Sequence, residues 1–275
     1  MGQQLTLSRQ RINELLDQSG LAPRRDLGQN FVADANTVRR IASLSGVGRG
    51  DRVVEIGAGL GSLTLALADT GAEVTAVEID TGVVAVLRDV VADRANVTVV
   101  EADAMRVDWQ ALLAGGERWT LVANLPYNVA TPLVCDLLDD VPQIESMLVM
   151  VQREVAERMV APPGNKQYGG VSVKVAYWAT ARIAGHVPAS VFVPRPNVES
   201  ALVRIDRREP PAVDREALFT LVRTAFGQRR KMLRRSLAAA VPPAVFDAAG
   251  VSSEARPEQL AIDDWVRLTN AAGAT

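Results

Sequence analysis

Short apolar runs alternate with longer, helix-like segments along the first 150 residues of the chain. The runs that fit strands are 51–56, 73–79, 97–100, 119–123 and 146–151, and the segments that fit helices are 62–69, 81–92 and 130–139. Strands that alternate with helices of this length are typical of a parallel sheet covered by helices. The first part of the chain is therefore predicted to be an α/β domain with a mostly parallel sheet and helices on both faces.

The alternation ends after residue 150. Residues 170–178 and 200–205 fit later strands, and the prolines between them require loops, since proline cannot occupy a central strand. A Glu209-Pro210-Pro211 linker follows. The segments beyond it that fit helices are 215–226, 231–240 and 257–272. These patterns predict a small all-α domain at the C-terminal end.

Three parts follow from this organisation. Residues 1–26 form an N-terminal extension, in which Ile12, Leu15 and Leu16 fall on one face of a predicted helix. Residues 27–207 form the α/β domain, and residues 208–275 form the helical domain.

Composition excludes several classes of protein. The chain is 48% apolar and 23% charged, which is the balance of a folded globular protein and not of a disordered one. A single cysteine and a single histidine exclude a disulfide framework and argue against a metal site or a Ser-His-Asp triad. No apolar run approaches the roughly 20 residues of a membrane helix, and the N-terminus lacks a signal-peptide pattern. We expect a cytoplasmic protein with no membrane partner.

The charge is unevenly distributed. Residues 1–150 hold 12 basic and 20 acidic side chains, whereas residues 151–275 hold 18 basic and 12 acidic ones. Such asymmetry suggests a polyanionic partner for the second half. The cations are densest in residues 228–236, called the basic segment below, where the candidate RNA contacts are Arg229, Arg230, Lys231, Arg234 and Arg235. Read as one helix, the segment places cations four residues apart on shared faces; a merely solvated helix face is the alternative.

A glycine-rich turn follows the first predicted strand. It reads Gly57-Ala58-Gly59-Leu60-Gly61, and such glycines let the backbone approach a ligand closely. Glu78 lies at the end of the next strand, where an acid can accept hydrogen bonds from both ribose hydroxyls. Ser62 occupies the last glycine position of a dinucleotide fingerprint. The shortened spacing favours a cofactor with an amino-acid tail, such as S-adenosylmethionine, over NAD; a turn without a ligand is the alternative.

Two further strand ends carry polar residues. Asp103 follows the third strand and could bind an adenine amino group or only cap the next helix. Asn124-Leu125-Pro126-Tyr127 ends the fourth. Asn124 offers an amide oxygen, the residue before proline is held extended so that its carbonyl can point outward, and Tyr127 offers a flat face to a base.

This second motif suits the exocyclic amino group of adenine. That nitrogen is a poor nucleophile because its lone pair is delocalised into the ring. Two oxygen acceptors that hold its hydrogens out of the ring plane would localise the lone pair and aim it at a methyl sulfonium. The chemistry is positioning and electrostatics, and it requires neither histidine nor thiolate.

Four motifs stand in a fixed order along the chain. They are Leu27-Gly28-Gln29-Asn30-Phe31, the glycine turn, Asn124-Leu125-Pro126-Tyr127 and Phe192-Val193-Pro194-Arg195-Pro196. From about residue 27 to about residue 270, the chain resembles the ribosomal RNA adenine dimethyltransferase family. The resemblance implies a Rossmann-like methyltransferase domain, S-adenosylmethionine as the donor without a metal, and two methylations of one adenine amino group.

The resemblance also implies residue roles. Asn30, Val32 and Gly57 would border the methionine end of the cofactor, Glu78 would hold the ribose, Asp103 the adenine and Asn124 the reacting centre, and Phe192 would stack on the target base opposite Tyr127. Two positions depart from the family pattern: Ala102 stands where glycine is common, and Val32 where leucine is common.

The basic segment and Ala255-Arg256-Pro257-Glu258-Gln259-Leu260 resemble the small-subunit branch of the family. That branch modifies two adjacent adenosines in the hairpin loop near the 3′ end of 16S rRNA. The expected substrate is therefore 16S rRNA within an immature 30S particle, and the expected state is a monomer. Three alternatives stay open: a macrolide-resistance enzyme acting on 23S rRNA, a non-catalytic ribosome-assembly factor on the same fold, and an NAD-dependent dehydrogenase.

Overall fold

The computed structural model describes residues 6–24, 26–115 and 118–273. Strands in these ranges are β1 (Phe31–Val32), β2 (Arg52–Ile56), β3 (Glu73–Glu78), β4 (Val97–Glu101), β5 (Trp119–Asn124), β6 (Ile144–Gln152), β7 (Ala179–Val187), β8 (Phe192–Val193) and β9 (Ser200–Arg207). Helices are α1 (Arg9–Ser19), α2 (Ala35–Ser45), α3 (Ser62–Ala68), α4 (Thr81–Val90), α5 (Trp109–Leu112), α6 (Ala130–Asp140), α7 (Arg153–Val160), α8 (Gly170–Trp178), α9 (Arg215–Gly227), α10 (Leu233–Ser236), α11 (Pro243–Ala249) and α12 (Ile262–Gly273).

The chain forms two compact units. The first, called the α/β unit, comprises the residues up to Ala156 together with Arg182–Asp206. The second, called the helical unit, comprises Glu157–Ala181 together with the residues from Arg207 onward. The helical unit therefore includes a segment, 157–181, that the sequence analysis assigned to the α/β domain.

A seven-stranded sheet with the order β4-β3-β2-β5-β6-β9-β7 organises the α/β unit. Strands β2 to β6 are parallel, and β9 is antiparallel to β6. The chain first proceeds from β2 outward to β4 and then returns to β5 on the other side of β2. Because such crossovers are right-handed, α3 and α4 cover one face and α6 covers the other. The predicted Rossmann-like fold class is confirmed.

A two-stranded antiparallel ribbon of β1 and β8 accompanies the sheet. It pairs Phe31 with Val193 and Val32 with Phe192. The N-terminal helix predicted from its apolar face is α1, in which Ile12, Leu15 and Leu16 are all buried.

The helical unit has its own apolar core. Trp265, Phe246 and Leu218 are at most 1% exposed at its centre. The prediction of a strand over 170–178 is wrong, because these residues form helix α8. Alternating valines indicated a strand, but in the helix Val173 and Tyr177 lie one turn apart and both enter this core. Tertiary packing outweighs the β preference of valine here.

Candidate active site

A cavity of about 250 Å³ opens where the strand order reverses between β2 and β5. Ligands of open α/β sheets bind at such points, outside the carboxyl ends of the strands. The cavity wall contains all six residues predicted to contact the cofactor, namely Asn30, Val32, Gly57, Glu78, Asp103 and Asn124. Strand topology alone therefore brings together positions that lie almost 100 residues apart.

The glycine turn is held tightly at the end of β2. The N–H groups of Gly57 and Ala58 both donate to the Val77 carbonyl, at 2.8 and 3.2 Å. Gly59 has φ +57°, and a Cβ at this position would lie 3.0 Å from the ring of Phe31. Only glycine combines this left-handed conformation with so close a neighbour, so the turn leaves its backbone open to the cavity.

Glu78 is fixed by three backbone N–H groups. Its Oε2 accepts from Gly59 at 2.8 Å, and its Oε1 accepts from Ile79 at 2.9 Å and from Asp80 at 3.0 Å. A carboxylate has roughly four acceptor positions. The Glu78 carboxylate can therefore accept a further hydrogen bond from a ribose hydroxyl, and the backbone contacts already hold it in place.

Two buried polar atoms beside the glycine turn have no hydrogen-bond partner among the described residues. They are Glu55 Oε2 and Ser62 Oγ, and both residues line the cavity. Burial raises the pKa of Glu55 to about 8; the nearby Thr64 hydroxyl opposes the rise, and the charge on Glu78 adds to it. Unpaired buried groups of this kind are uncommon. They fit a ligand that brings donors or a cation, such as the amino group of an amino-acid tail.

Two of the sequence motifs meet directly at this cavity. The side-chain amide of Asn124 donates to the Asn30 carbonyl at 2.9 Å, and that of Asn30 donates to the Gly28 carbonyl at 3.0 Å. Gly28 packs against Pro126, which a Cβ at Gly28 would approach to 3.0 Å. Because the Asn124 amide nitrogen is engaged in this way, its Oδ1 is left as an acceptor for a ligand.

The rest of the Asn124–Tyr127 corner is equally constrained. Leu125 donates its N–H to the Met150 carbonyl at 3.0 Å, while its own carbonyl accepts no hydrogen bond from the described residues. The Tyr127 hydroxyl lies 2.8 Å from Ser200 Oγ. Burial raises the pKa of Tyr127, and this hydrogen bond opposes the rise. Asn124 and Pro126 line the cavity, whereas Leu125, which is 1% exposed, and Tyr127 do not. The tyrosine ring is held by its hydroxyl end.

Phe192 is buried in this structure. Its side chain is 0% exposed and belongs to an apolar cluster with Val32, Val38 and Leu202. Neither Phe192 nor Tyr127 lines the cavity. Stacking of Phe192 on a base opposite Tyr127 therefore stays a prediction.

Asp103 and two apolar neighbours form another side of the cavity. Asp103 Oδ1 accepts from the Met105 N–H at 2.9 Å, so the carboxylate also shapes its own turn. Ile79 and Met105 are large apolar residues that are 45% and 42% exposed, and both line the cavity. The sequence analysis missed them. Their position one and two residues after the candidate cofactor acids is the signal that could have found them.

The basic segment, in the helical unit, is not the single helix that was expected. Helix α9 ends at Gly227, a turn follows, and α10 covers only Leu233–Ser236. The amides of Leu233 and Arg234 bond instead to the carbonyls of Ala255 and Ser253. The predicted pairs of cations on shared helix faces are therefore wrong, because this backbone pairing starts a new helix at residue 233.

The five cations of the basic segment fall into two groups. Arg229 pairs with Glu258 at 2.5 Å and Arg234 pairs with Glu254 at 3.4 Å. Within the described part of the chain, no ion pair engages the exposed Arg230, Lys231 or Arg235. Only this second group is free to meet a polyanion without breaking an internal contact.

Known proteins similar to this chain identify its family. The model of the family described as ribosomal RNA adenine dimethylase matches residues 20–273. A ribosomal RNA small subunit methyltransferase A from Cutibacterium acnes is 48% identical, over 94% of this chain and 92% of the relative. One from Rhodococcus opacus is 49% identical, over 97% and 95%. The chain belongs to the ribosomal RNA adenine dimethylase family. Membership excludes the dehydrogenase alternative.

Solved structures give the same fold as these dimethylases. A 23S rRNA methyltransferase, ErmE, is 27% identical with a TM-score of 0.71, over 89% of this chain and 100% of that one. A dimethyladenosine transferase from Plasmodium falciparum is 23% identical with a TM-score of 0.76, over 87% and 97%.

None of the helices in the described ranges is long and apolar enough to cross a bilayer.

Proposed function

We propose that the protein transfers methyl groups from S-adenosylmethionine to the 6-amino group of adenosines in 16S rRNA, two to each adenosine. The observation that carries this function is the corner at the end of β5, where Asn124 Oδ1 and the Leu125 carbonyl are acceptors without a partner among the described residues. The corner adjoins the cavity of the glycine turn. An amine with two hydrogens to donate fits two such oxygens.

The residues around the cavity have separate tasks in this proposal. Glu78 binds the ribose of the cofactor, and Ile79 and Met105 flank its adenine, with Asp103 at the amino group. Asn30, Val32 and Gly57 border the methionine end, where Glu55 faces the amino group. The cofactor supplies an electrophilic methyl group when bound. Because Glu78 and the turn are already held by backbone hydrogen bonds, little reorganisation is needed at the moment of transfer.

Asn124, Leu125 and Tyr127 act on the target base. The two oxygens draw the hydrogens of the amino group out of the ring plane, which returns the lone pair to nitrogen. Pro126 stiffens the corner, and the Tyr127 ring supports the base from one side. Transfer leaves S-adenosylhomocysteine and a cationic amine, which is acidic enough to lose its proton to water, so no strong base is required. Phe192, which is a core residue next to Val32, is proposed to stack on the base from the other side.

The small-subunit substrate is favoured by the relatives. Those at 48% and 49% identity are named small subunit methyltransferases, whereas the solved 23S rRNA methyltransferase is 27% identical. We extend the proposal to two adjacent adenosines in the 3′-terminal hairpin loop, within an immature 30S particle. The protein acts as a cytoplasmic monomer, residues 27–207 carry the chemistry, and residues 208–275 bind RNA through the basic segment.

Methyl transfer to two substrates tests the proposal. Purified protein is incubated with S-adenosylmethionine and either immature 30S particles or naked 23S rRNA, and the RNA is analysed by mass spectrometry. We expect dimethyladenosine in 16S rRNA only. If dimethyladenosine were found only in 23S rRNA, the protein would instead be assigned to the macrolide-resistance branch. Specific binding to 30S particles without any methyl transfer would support the assembly-factor alternative.

A further inference from the structure

Helix α1 lies before the region that the family model matches, which begins at residue 20. It is a well-formed helix, because the Ser8 hydroxyl accepts from the Arg11 N–H at its start and Gly20 ends it in the left-handed conformation. Its buried residues pack in a cluster with Phe31 and Leu60. Burial of an apolar face on this scale docks the helix firmly.

This docking reaches the wall of the cofactor cavity through one aromatic ring. Phe31 belongs to the cluster of α1 and also lies against Gly59 of the glycine turn. Phe31 and Gly59 both line the cavity. Helix α1 therefore supports the turn from behind, although none of its own residues enters the cavity.

A side chain of helix α1 also forms hydrogen bonds with the β8 side of the β1–β8 ribbon. Arg9 donates from Nη2 to the Ser190 carbonyl at 2.7 Å and from Nη1 to the Phe192 carbonyl at 3.2 Å. The planar fork of a guanidinium suits two nearby oxygens, and charge strengthens both hydrogen bonds. The same segment is joined to β1 by the Ala33 N–H, which donates to the Val191 carbonyl at 2.7 Å.

We propose that Arg9 is a positioning residue for methyl transfer, which clamps residues 190–192 to the helix that supports the glycine turn. Val32, opposite Phe192 in the ribbon, lines the cavity, so the register of the ribbon sets that part of the wall. Arg9 itself does not touch the cavity. This inference rests on the proposed function, and it adds a contact from outside the matched region to the machinery of that site.

Three variants test the clamp. Arg9→Met removes both hydrogen bonds but keeps the aliphatic stem, and Arg9→Lys keeps the charge without the planar fork. Arg11→Met is the matched control, because Arg11 lies on the same helix and its side chain pairs with Glu14, one turn away, and with no other acid in the described ranges. For each variant, kcat for methyl transfer to 30S particles is measured at saturating cofactor. The dissociation constant of S-adenosylhomocysteine, the Tm and the amide hydrogen exchange of residues 189–193 are also measured.

We expect kcat of Arg9→Met to fall about tenfold, which is the size of effect of one charge-assisted hydrogen bond. Cofactor affinity should fall less than kcat, because Val32 forms only one part of the cavity wall and the backbone contacts of Glu78 are untouched. The kcat of Arg9→Lys should lie between those of the wild type and Arg9→Met, and the kcat of Arg11→Met should equal that of the wild type. Amide hydrogen exchange of residues 189–193 should become faster only in the Arg9 variants. The inference would be overturned if kcat and amide exchange were unchanged in Arg9→Met. It would also be overturned if cofactor affinity and Tm fell in proportion to kcat, because that result indicates a merely structural role.

The two proposals can fail separately. If the wild-type protein methylates no RNA, the proposed function fails, and exchange at residues 189–193 in Arg9→Met still decides whether the clamp exists. If the wild type methylates 16S rRNA and Arg9→Met does so equally well, only the clamp fails.

Discussion

The cavity of the α/β unit and the basic segment of the helical unit hold their polar side chains in different ways. Glu78 accepts three backbone N–H groups and Asn124 is tied to the Asn30 carbonyl, so these groups have one position each. In the basic segment, Arg230 and Lys231 are exposed on a turn. Fixed groups suit a reaction that depends on geometry, whereas exposed cations without an ion-pair partner suit a phosphate backbone, which demands charge more than exact position.

The largest effect should come from the corner of the cavity. Asn124→Ala removes the acceptor for the reacting amine, together with the hydrogen bond to the Asn30 carbonyl, and it should lower kcat by about 10²–10³-fold. Cofactor affinity should change far less. Asn128→Ala is the control, since Asn128 lines the same cavity outside the corner. For both variants, kcat is measured by methyl transfer to 30S particles. Equal losses of kcat would contradict a catalytic role that is specific to the Asn124 corner.

Glu78 should affect binding and not the transfer step. Glu78→Gln replaces an acceptor oxygen by an amide that cannot accept, so at least one of three backbone N–H groups loses its partner. We expect calorimetry with S-adenosylhomocysteine to find affinity lower by about 10–100-fold. Glu73→Gln changes an exposed acid of the same strand and should bind normally. Normal binding by Glu78→Gln would mean that the cavity is less preorganised than the backbone contacts indicate.

Glu55 should make the stability of the α/β unit depend on pH. Its pKa is raised from 4.5 to about 8 in the folded protein, so the folded state holds one proton more than the unfolded state between these values. Stability must then fall as pH rises through this window, at up to about 1.4 kcal/mol per pH unit. Glu55→Gln cannot titrate there and should lack this component. Urea unfolding at several pH values gives the free energy of unfolding of both proteins. The same dependence on pH in the wild type and in Glu55→Gln would contradict the raised pKa of Glu55.

The basic segment should show the smallest effects. Arg230→Ala, Lys231→Ala and Arg235→Ala together should reduce the slope of log K against log salt by about 2, since each contact to a single strand contributes about 0.7. Arg229→Ala should leave the slope unchanged and lower the free energy of unfolding by at most about 1 kcal/mol, because its ion pair is partly exposed. A change of slope with Arg229→Ala would show that internal pairing does not decide which cations meet RNA.

The sequence predicted the cavity better than it predicted the helical unit. Glu78 and Asn124 are the last residues of parallel strands and Asp103 follows one. The carboxyl ends of parallel strands lie at one edge of the sheet whatever the details of packing. No comparable rule governs residues 170–178 or the basic segment. There, valine alternation and cation spacing predicted a strand and a single helix, and packing against the helical core and the 253–255 backbone decided otherwise.

The five strands β2 to β6, the glycine turn and the four motifs could be predicted from the sequence alone, because period, turn chemistry and strand ends are local properties. Tertiary structure decided that Phe192 enters the core, that Glu55 Oε2 is buried with no hydrogen-bond partner among the described residues, and that Arg9 reaches two carbonyls more than 180 residues away. The physical reason is that burial and long-range hydrogen bonds depend on which surfaces meet, and no local pattern in the chain records that.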